Sequence, residues 1–229
     1  MLKRLTIWGI VFIILIGLSQ IFLPMAVSGG IAKAIKVFAD TDQVEVQAEK
    51  FPAFFMLGGN FDKITVQAKG AQTDKIIFDN LEIQLEDVQI DALSLFNKNE
   101  FLMKKVRNAD LNAIVSEKEL ASLINRKIKG AKNAEVIITP QKVIVRSTLS
   151  LGNVVNAEVM LEGKIIVSDN RIVFTTERFD IDNSTFGKFG GSVFTDLVLA
   201  DFKQLPFEVK IKKIELGNKQ VLIFADNHD

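Results

Sequence analysis

The side chains that most often carry out enzymatic chemistry are scarce in this sequence. Among its 229 residues there is no cysteine, and the one histidine, His228, is next to last. Without cysteine there is no thiolate nucleophile, disulfide or cysteine-ligated metal. Without an internal histidine, a Ser-His-Asp or Cys-His mechanism lacks its base. The sequence therefore predicts a protein that is not an enzyme, with no cofactor and no metal site.

One acidic stretch, DIDNSTFG at residues 180–187, is similar to a calcium-binding loop. Such a loop requires glycine at its sixth position, where this stretch has Thr185. We interpret it as an acidic pair that faces solvent. Hydrolase activity on a lipid stays open only if a pair of carboxylates is buried beside an apolar surface.

The most unusual stretch is apolar rather than polar. FPAFFML, residues 51–57, carries no charge and precedes the pair Gly58-Gly59. Its large side chains could fill the core at one end of a sheet, form the mouth of a lipid groove or a lip that touches a bilayer, or bind a protein partner. The chain has eighteen phenylalanines and no tyrosine, which favours the lipid interpretation because phenylalanine brings no hydroxyl that must be satisfied.

The N-terminus predicts a membrane anchor, residues 1–23. Lys3 and Arg4 precede nineteen uncharged residues, 5–23, which as a helix would span nearly 30 Å, about the thickness of the bilayer core. Two cations before the span and none within it predict a cytoplasmic N-terminus and an extracytoplasmic remainder, in a single-pass protein of the cell membrane. The alternative is a cleaved signal peptide, with small residues at 26–28 for the peptidase, but the apolar run exceeds the roughly 7–15 residues of a signal core.

The remainder, residues 24–229, is predicted to form a single domain. Two of the 28 basic residues and none of the 28 acidic ones lie in the anchor, so the formal charge of the domain is 26 − 28 = −2. A domain so near neutrality has no electrostatic footprint for nucleic acid.

Two amphipathic helices are expected in this domain. The first begins at Pro24, which suits a first helical turn, and runs to about Ala39, with Gly29-Gly30 as a hinge or a close helix crossing. The second begins with a capping box, in which the side chains of Ser116 and Glu119 each accept from the backbone N–H of the other, and stops at Gly130. The apolar stripes of the two helices are Val27, Ile31, Ala34, Ile35 and Phe38 in the first, and Leu120, Leu123, Ile124 and Ile128 in the second.

The rest of the domain alternates with the period of two that is typical of half-buried strands. In FDNLEIQLEDVQID, residues 78–91, the apolar positions change from odd to even, which predicts a bulge near Glu86-Asp87 and therefore a bent strand. Residues 103–115 are expected to alternate throughout. Four strands are expected between Ala134 and Ile181, with turns at Pro140-Gln141, Gly152-Asn153 and Asp169-Asn170, and a last hairpin turns at Gly217-Asn218. Thr195 could cap a short helix that ends before Pro206. We predict an α+β fold of about ten strands, in which a strongly curved antiparallel sheet wraps around amphipathic helices.

This order of parts resembles the LmeA-like phospholipid-binding proteins of bacterial cell envelopes. The resemblance covers roughly residues 24–225 and is carried by VEVQAEKFPAFFMLGGNFDKITVQAKG, FDNLEIQLEDVQID, ADLNAIVSEKELASLI and LPFEVKIKKIELGNKQVLIFA. It departs at 184–205, and at Glu49-Lys50, where relatives often have a glycine. The resemblance implies a distant likeness to tubular lipid-binding folds, in which a curved sheet and a helix enclose an apolar groove.

Together these features predict a membrane-anchored, extracytoplasmic phospholipid-binding protein whose partner is a membrane phospholipid or glycolipid. The alternative is a structural or assembly protein of the envelope that binds a protein partner through its apolar patch. The predicted lipid-binding residues are Val27, Ile31, Ile35, Phe38, Phe51, Phe54, Phe55, Met56, Leu57, Leu120, Leu123 and Ile124.

Overall fold

The computed structural model describes residues 2–72, 76–151, 155–182, 184–185 and 197–228, with side chains from residue 7 onward except at 151, 155–156 and 184–185. The chain forms two compact units. Unit 1 comprises Met1–Ala68, Glu82–Asp110 and His228–Asp229, and unit 2 comprises Lys69–Leu81 and Leu111–Asn227. The predicted turn at 152–153 and the helix cap considered at Thr195 lie outside the described residues.

The fold is mostly antiparallel sheet with few helices, and one of the two sheets is strongly curled, like half of a barrel. This confirms the predicted class. The described residues contain thirteen strands, three of them of five residues or fewer, rather than about ten. The bounds are β1 (Gln43–Glu49), β2 (Asn60–Gln72), β3 (Ile77–Ile90), β4 (Met103–Lys105), β5 (Asn108–Ser116), β6 (Ala131–Ile138), β7 (Val143–Leu151), β8 (Val155–Ser168), β9 (Arg171–Ile181), β10 (Ser184–Thr185), β11 (Leu197–Asp201), β12 (Lys210–Leu216) and β13 (Gln220–Asp226).

The strands form two sheets. One has the hydrogen-bonded order β1-β2-β3-β5-β13-β12, with β4 paired to β3. The other has the order β10-β9-β8-β7-β6, with β11 also paired to β9, and belongs wholly to unit 2. The predicted hairpins at Asp169-Asn170 and Gly217-Asn218 are both present, as β8–β9 and β12–β13.

The N-terminal helix α1 (Leu2–Phe38) is continuous through Pro24, so the prediction of a second helix beginning there is wrong. Proline removes one helical hydrogen bond, but the turns after it pack against the rest of unit 1, where Val27, Ile31 and Ala34 are buried. Within the described residues, α1 from Ile7 to Phe38 is the one helix long and apolar enough to cross a membrane. A Cβ at Gly29 or Gly30 would meet no atom within 4 Å, so neither is required by a close crossing.

In unit 1 the apolar stretch after β1 is not an open loop. It forms a short 3₁₀ helix, η1 (Ala53–Gly58), which packs against α1. Gly59 ends η1 with φ 78, and a Cβ there would lie 2.3 Å from the carbonyl oxygen of Ile90, so only glycine fits. After β3 comes α2 (Ala92–Lys98), capped by Asp91, whose side chain accepts from the N–H of Ser94.

The predicted change of phase in β3 is present. Leu85 is buried, and Val88 and Ile90 are buried three and five residues later. Between them Asp87 has φ 48, in the left-handed region. The predicted continuous alternation over 103–115 is instead split into the short β4 and the longer β5.

Candidate functional site

In unit 2 a helix covers one face of the six-stranded sheet. This is α3 (Glu117–Lys127), which begins at Ser116, whose hydroxyl accepts from the N–H of Glu119. The reciprocal half of the predicted capping box is absent, because the N–H of Ser116 donates to the carboxylate of Asp79 at 2.7 Å. The apolar stripe Leu120, Leu123 and Ile124 is buried as the sequence predicts.

Two polar side chains of α3 fasten it to β6, a terminal strand in the order of the six-stranded sheet. The backbone N–H of Ile138 donates to the carboxylate of Glu117 at 2.8 Å, and that of Ala134 donates to the amide oxygen of Asn125 at 3.0 Å. These bonds satisfy donors that the outer side of an edge strand leaves unpaired. Displacement of α3 from the sheet would break both bonds.

The sheet presents its alternate residues to this helix. On β7 and β8 these are Val143, Val145 and Leu149, and Val159, Leu161 and Ile165. Gly163 continues the odd-numbered series on β8, where the pairing with β9 shifts register between Glu162 and Gly163. A Cβ at Gly163 would lie 2.1 Å from the carbonyl oxygen of Thr175, so the close approach of β8 to β9 here requires glycine.

Between α3 and the sheet lies an apolar groove. It is lined by Leu120, Ile124 and Ile128 on one side, by the β7 and β8 residues on the other, and by Phe174, Leu197 and Leu199 at further positions. Ser147 is the one polar side chain in the lining, and no titratable group is part of it. The space between the lining atoms, counted with solvent at the mouth, is about 530 Å³, but the cavity itself holds only about 30 Å³. That is about the volume share of one water molecule, so the groove is nearly closed.

The twelve predicted lipid-binding residues are divided between the two units. Leu120 and Ile124 line the groove of unit 2, and Leu123 is buried beside them against the sheet. The other nine belong to unit 1. Among those nine, Val27, Ile31 and Met56 are buried in the packing of unit 1, and Ile35 is partly buried. The remaining five are exposed: Phe38, Phe51, Phe54, Phe55 and Leu57.

The segment that leads into η1 is held in place from β2. The carboxylate of Asp62 accepts from the N–H of Phe51 at 3.1 Å and from the ammonium of Lys50 at 2.5 Å. Both bonds lower the pKa of Asp62 from its ordinary value, and the bond from Lys50 has the larger effect. The rings of Phe54 and Phe55 lie next to one another, with centroids 4.4 Å apart.

The charged residues offer no alternative site. Among the described residues, no three His, Asp or Glu side chains are close enough to hold a metal ion. The interpretation of the acidic stretch is wrong for its first residue, because Asp180 lies in β9 and is buried. Both of its oxygens are bound by the guanidinium of Arg178. His228 lies 3.0 Å from the carboxylate of Asp110, and both are about half exposed.

The groove and the buried stripes fit a family that was already suggested by the sequence. The model of the LmeA-like phospholipid-binding proteins matches residues 21–225, most of the chain. This chain belongs to that family. Comparison with curated proteins and with solved structures gives no significant match to either.

In this member of the LmeA-like family, the sequence does not identify most of the residues that line the groove. The predicted set includes two of its residues, whereas the odd-numbered positions of β7 and β8 supply seven. Their alternation was recognised as a sign of strands. It does not say which face of a strand meets a helix, because the same pattern is found on any sheet with one buried face.

Proposed function

We propose that this chain is a membrane-anchored phospholipid-binding protein that works without catalysis. The groove between α3 and the six-stranded sheet takes an acyl chain. Membership of a phospholipid-binding family supports lipid as the ligand. The single observation that carries the site is an all-hydrocarbon lining, broken only by Ser147, with no ionisable side chain in it.

Binding requires the groove to open. A cavity of about 30 Å³ is far below the ~300–1,000 Å³ of sites that hold small molecules. The acyl chain therefore enters as the side chains of α3 and the sheet move apart. The fastening of α3 through Glu117 and Asn125 is the polar contact that limits this movement.

The energetics favour reversible exchange. Each methylene transferred from water is worth about 0.8 kcal/mol, but a lipid that leaves a bilayer is already out of water. An apolar groove that matches hydrocarbon therefore takes up the chain at a free energy near zero, apart from the work of opening. Such a site can load and release lipid.

The anchor keeps this exchange at the membrane. In α1 the large side chains from Ile7 to Leu15 are exposed and uncharged, as a segment surrounded by lipid requires. With Lys3 and Arg4 on the cytoplasmic side, unit 2 and the part of unit 1 that follows the membrane span are extracytoplasmic.

The test fills the groove. Val145→Phe places extra volume between α3 and the sheet, whereas Ile144→Phe adds a ring on the opposite face of the same strand. The full chain is purified in detergent, and its phospholipid is extracted and measured by mass spectrometry. We expect Val145→Phe to hold less phospholipid than the unaltered chain, and Ile144→Phe to hold the same amount.

A second variant guards against simple misfolding. Leu161→Ala enlarges the groove and costs about 2–5 kcal/mol of stability, yet it should raise phospholipid uptake from vesicles. Lipid content that is the same in all three variants would show that only the exposed surface of α1 carries lipid, and would overturn the proposal.

A further inference from the structure

Unit 1 carries a second apolar surface that faces outward, here called the collar. Two connections meet there, because the N–H of Ile90 at the end of β3 donates to the carbonyl of Gly59 at the end of η1, and the N–H of Asp91 donates to Leu102. Residues on either side of these junctions expose large apolar side chains instead of burying them. The collar consists of Phe51, Phe54, Phe55 and Leu57 around η1, Leu93 and Phe96 on α2, and Leu102, each at least 42% exposed.

Two hydrogen bonds fix the position of the collar along α1. The N–H of Ala48, on β1, donates to the hydroxyl of Ser28 at 2.9 Å, and the N–H of Ala53, at the start of η1, donates to the amide oxygen of Gln20 at 3.2 Å. From β1 to η1 the chain therefore runs along α1 toward its N-terminal end. At Gly59 it turns back into β2, so η1 is the tip of this excursion.

That tip lies at the depth of the bilayer. If the hydrocarbon begins at Leu5, just after Arg4, then Gln20 lies about 22 Å along the helix axis at 1.5 Å per residue. A core about 30 Å thick extends some 8 Å beyond it. The chain is uncharged from Leu5 to Ala32, so no ionised side chain of α1 opposes this placement.

We propose that the collar is immersed in the boundary between headgroups and acyl chains on the extracytoplasmic side of the bilayer that α1 spans. This rests on the anchorage proposed above and not on the groove. Elements that lie in this boundary bury their apolar faces about 5–10 Å deep, which matches the remaining depth. Unit 1 is then seated on the membrane and not suspended from a linker.

A bilayer fits the collar better than a protein partner because the apolar surface is continuous with that of the anchor. On α1, Ile21, Phe22 and Met25 are all more than 60% exposed at the level of Gln20 and just beyond it. A partner that covered the collar would have to displace lipid from these residues too. Two ion pairs lie near the collar, Lys50 with Asp62 and Lys104 with Asp91, and pairing lowers the cost of holding these charges close to hydrocarbon. Lys98 and Glu100, at the end of α2, are exposed, as charges that meet headgroups and water must be.

The absence of cysteine allows a direct test. Single cysteines carrying a nitroxide are placed in the full chain by Phe55→Cys and, independently, Leu93→Cys. The protein is reconstituted in vesicles of phosphatidylethanolamine and phosphatidylglycerol. Collision of the label with oxygen, which concentrates in hydrocarbon, is compared by electron paramagnetic resonance with collision with a water-soluble nickel chelate.

Two matched controls lie on α1 itself, both at exposed apolar positions. Along the helix axis, Ile14→Cys lies about 9 Å from Gln20 toward the middle of the bilayer. Val37→Cys lies about 25 Å from Gln20 in the opposite direction, beyond the bilayer core. We expect oxygen to dominate at Phe55 and Leu93, as at Ile14, and the nickel chelate to dominate at Val37.

The opposite results are distinct from one another. Nickel accessibility at Phe55 and Leu93 as high as at Val37 would place the collar in water, and low accessibility to both reagents would show that protein covers it; either overturns the proposal. If Val145→Phe still lowers bound lipid while the collar proves wet, the groove survives and only the collar is wrong. If Ile14 itself is wet, the anchorage is wrong.

Discussion

At the scale of single residues, one carboxylate holds the apolar stretch in position. Asp62 lies eleven residues after Phe51, on the next strand, and accepts both from its N–H and from Lys50. The sequence reveals the apolar character of 51–57 directly. It does not reveal this contact, because a charged residue on the exposed side of a strand looks like any solvated one until the turn brings its partner within reach.

The pH dependence of Asp62 follows from its lowered pKa. Its stabilising contribution is fully present above the ordinary value near 3.8 and is lost as the pH falls through the lower value of the folded chain. We expect Asp62→Asn to lower the free energy of unfolding by about 0.5–1 kcal/mol at neutral pH. The effect is small because the side chain of Asp62 is about half exposed in its ion pair with Lys50. The difference should vanish in strong acid.

Denaturant unfolding in detergent at several pH values measures this, and hydrogen exchange at the amide of Phe51 reports it locally. Asp42→Asn, an exposed carboxylate before β1, serves as control. Equal effects of the two substitutions, or a loss at Asp62 that persists in acid, would contradict the role assigned to this carboxylate.

At the scale of elements, the sequence predicts regular periodicity and the bulge in β3, but it does not predict where a helix continues or a strand is interrupted. The alternation in β1, β2 and β6–β9 and the helical stripe of α3 are each repeated over several residues, so single exceptions do not hide them. Proline is favoured at the start of a helix, so the sequence predicts a start at Pro24. In the structure the helix continues, because the packing of its following turns against the rest of unit 1 outweighs the hydrogen bond that Pro24 cannot make. The sequence does not predict α2, because seven residues are too few to show a helical period.

At Gly163 the pairing of β8 with β9 shifts register and the two backbones approach closely. Gly163→Ala would force the Cβ into the backbone of β9, and we expect it to destabilise the chain by about 1–3 kcal/mol and to reduce lipid content. Gly30→Ala is the control, because its Cβ would meet open space in a helix and should stabilise by up to about 1 kcal/mol. Thermal unfolding of both variants measures the two signs; a neutral Gly163→Ala would show that the close approach to Thr175 is dispensable.

At the scale of the whole molecule, two apolar surfaces account for the composition. The groove in unit 2 has a mouth to solvent but is nearly filled by its own side chains, and the collar in unit 1 lies exposed on the surface. The first explains why buried strands carry so many branched side chains, and the second why phenylalanine is common where a soluble loop would be polar. Family membership supports phospholipid as the ligand in the proposed use of the groove. The proposal for the collar rests instead on the hydrogen bond that places η1 beside Gln20.

The most direct measurement uses a phospholipid that carries a diazirine at the end of an acyl chain, mixed into vesicles that contain the full chain. After illumination, the modified residues are mapped by mass spectrometry of peptides. We predict adducts on α3 and on β7–β8 as well as on α1, with the groove adducts reduced by Val145→Phe and those on α1 unchanged. Adducts confined to α1 and the collar, with the groove peptides unmodified, would contradict the claim that this fold takes a lipid chain into its interior.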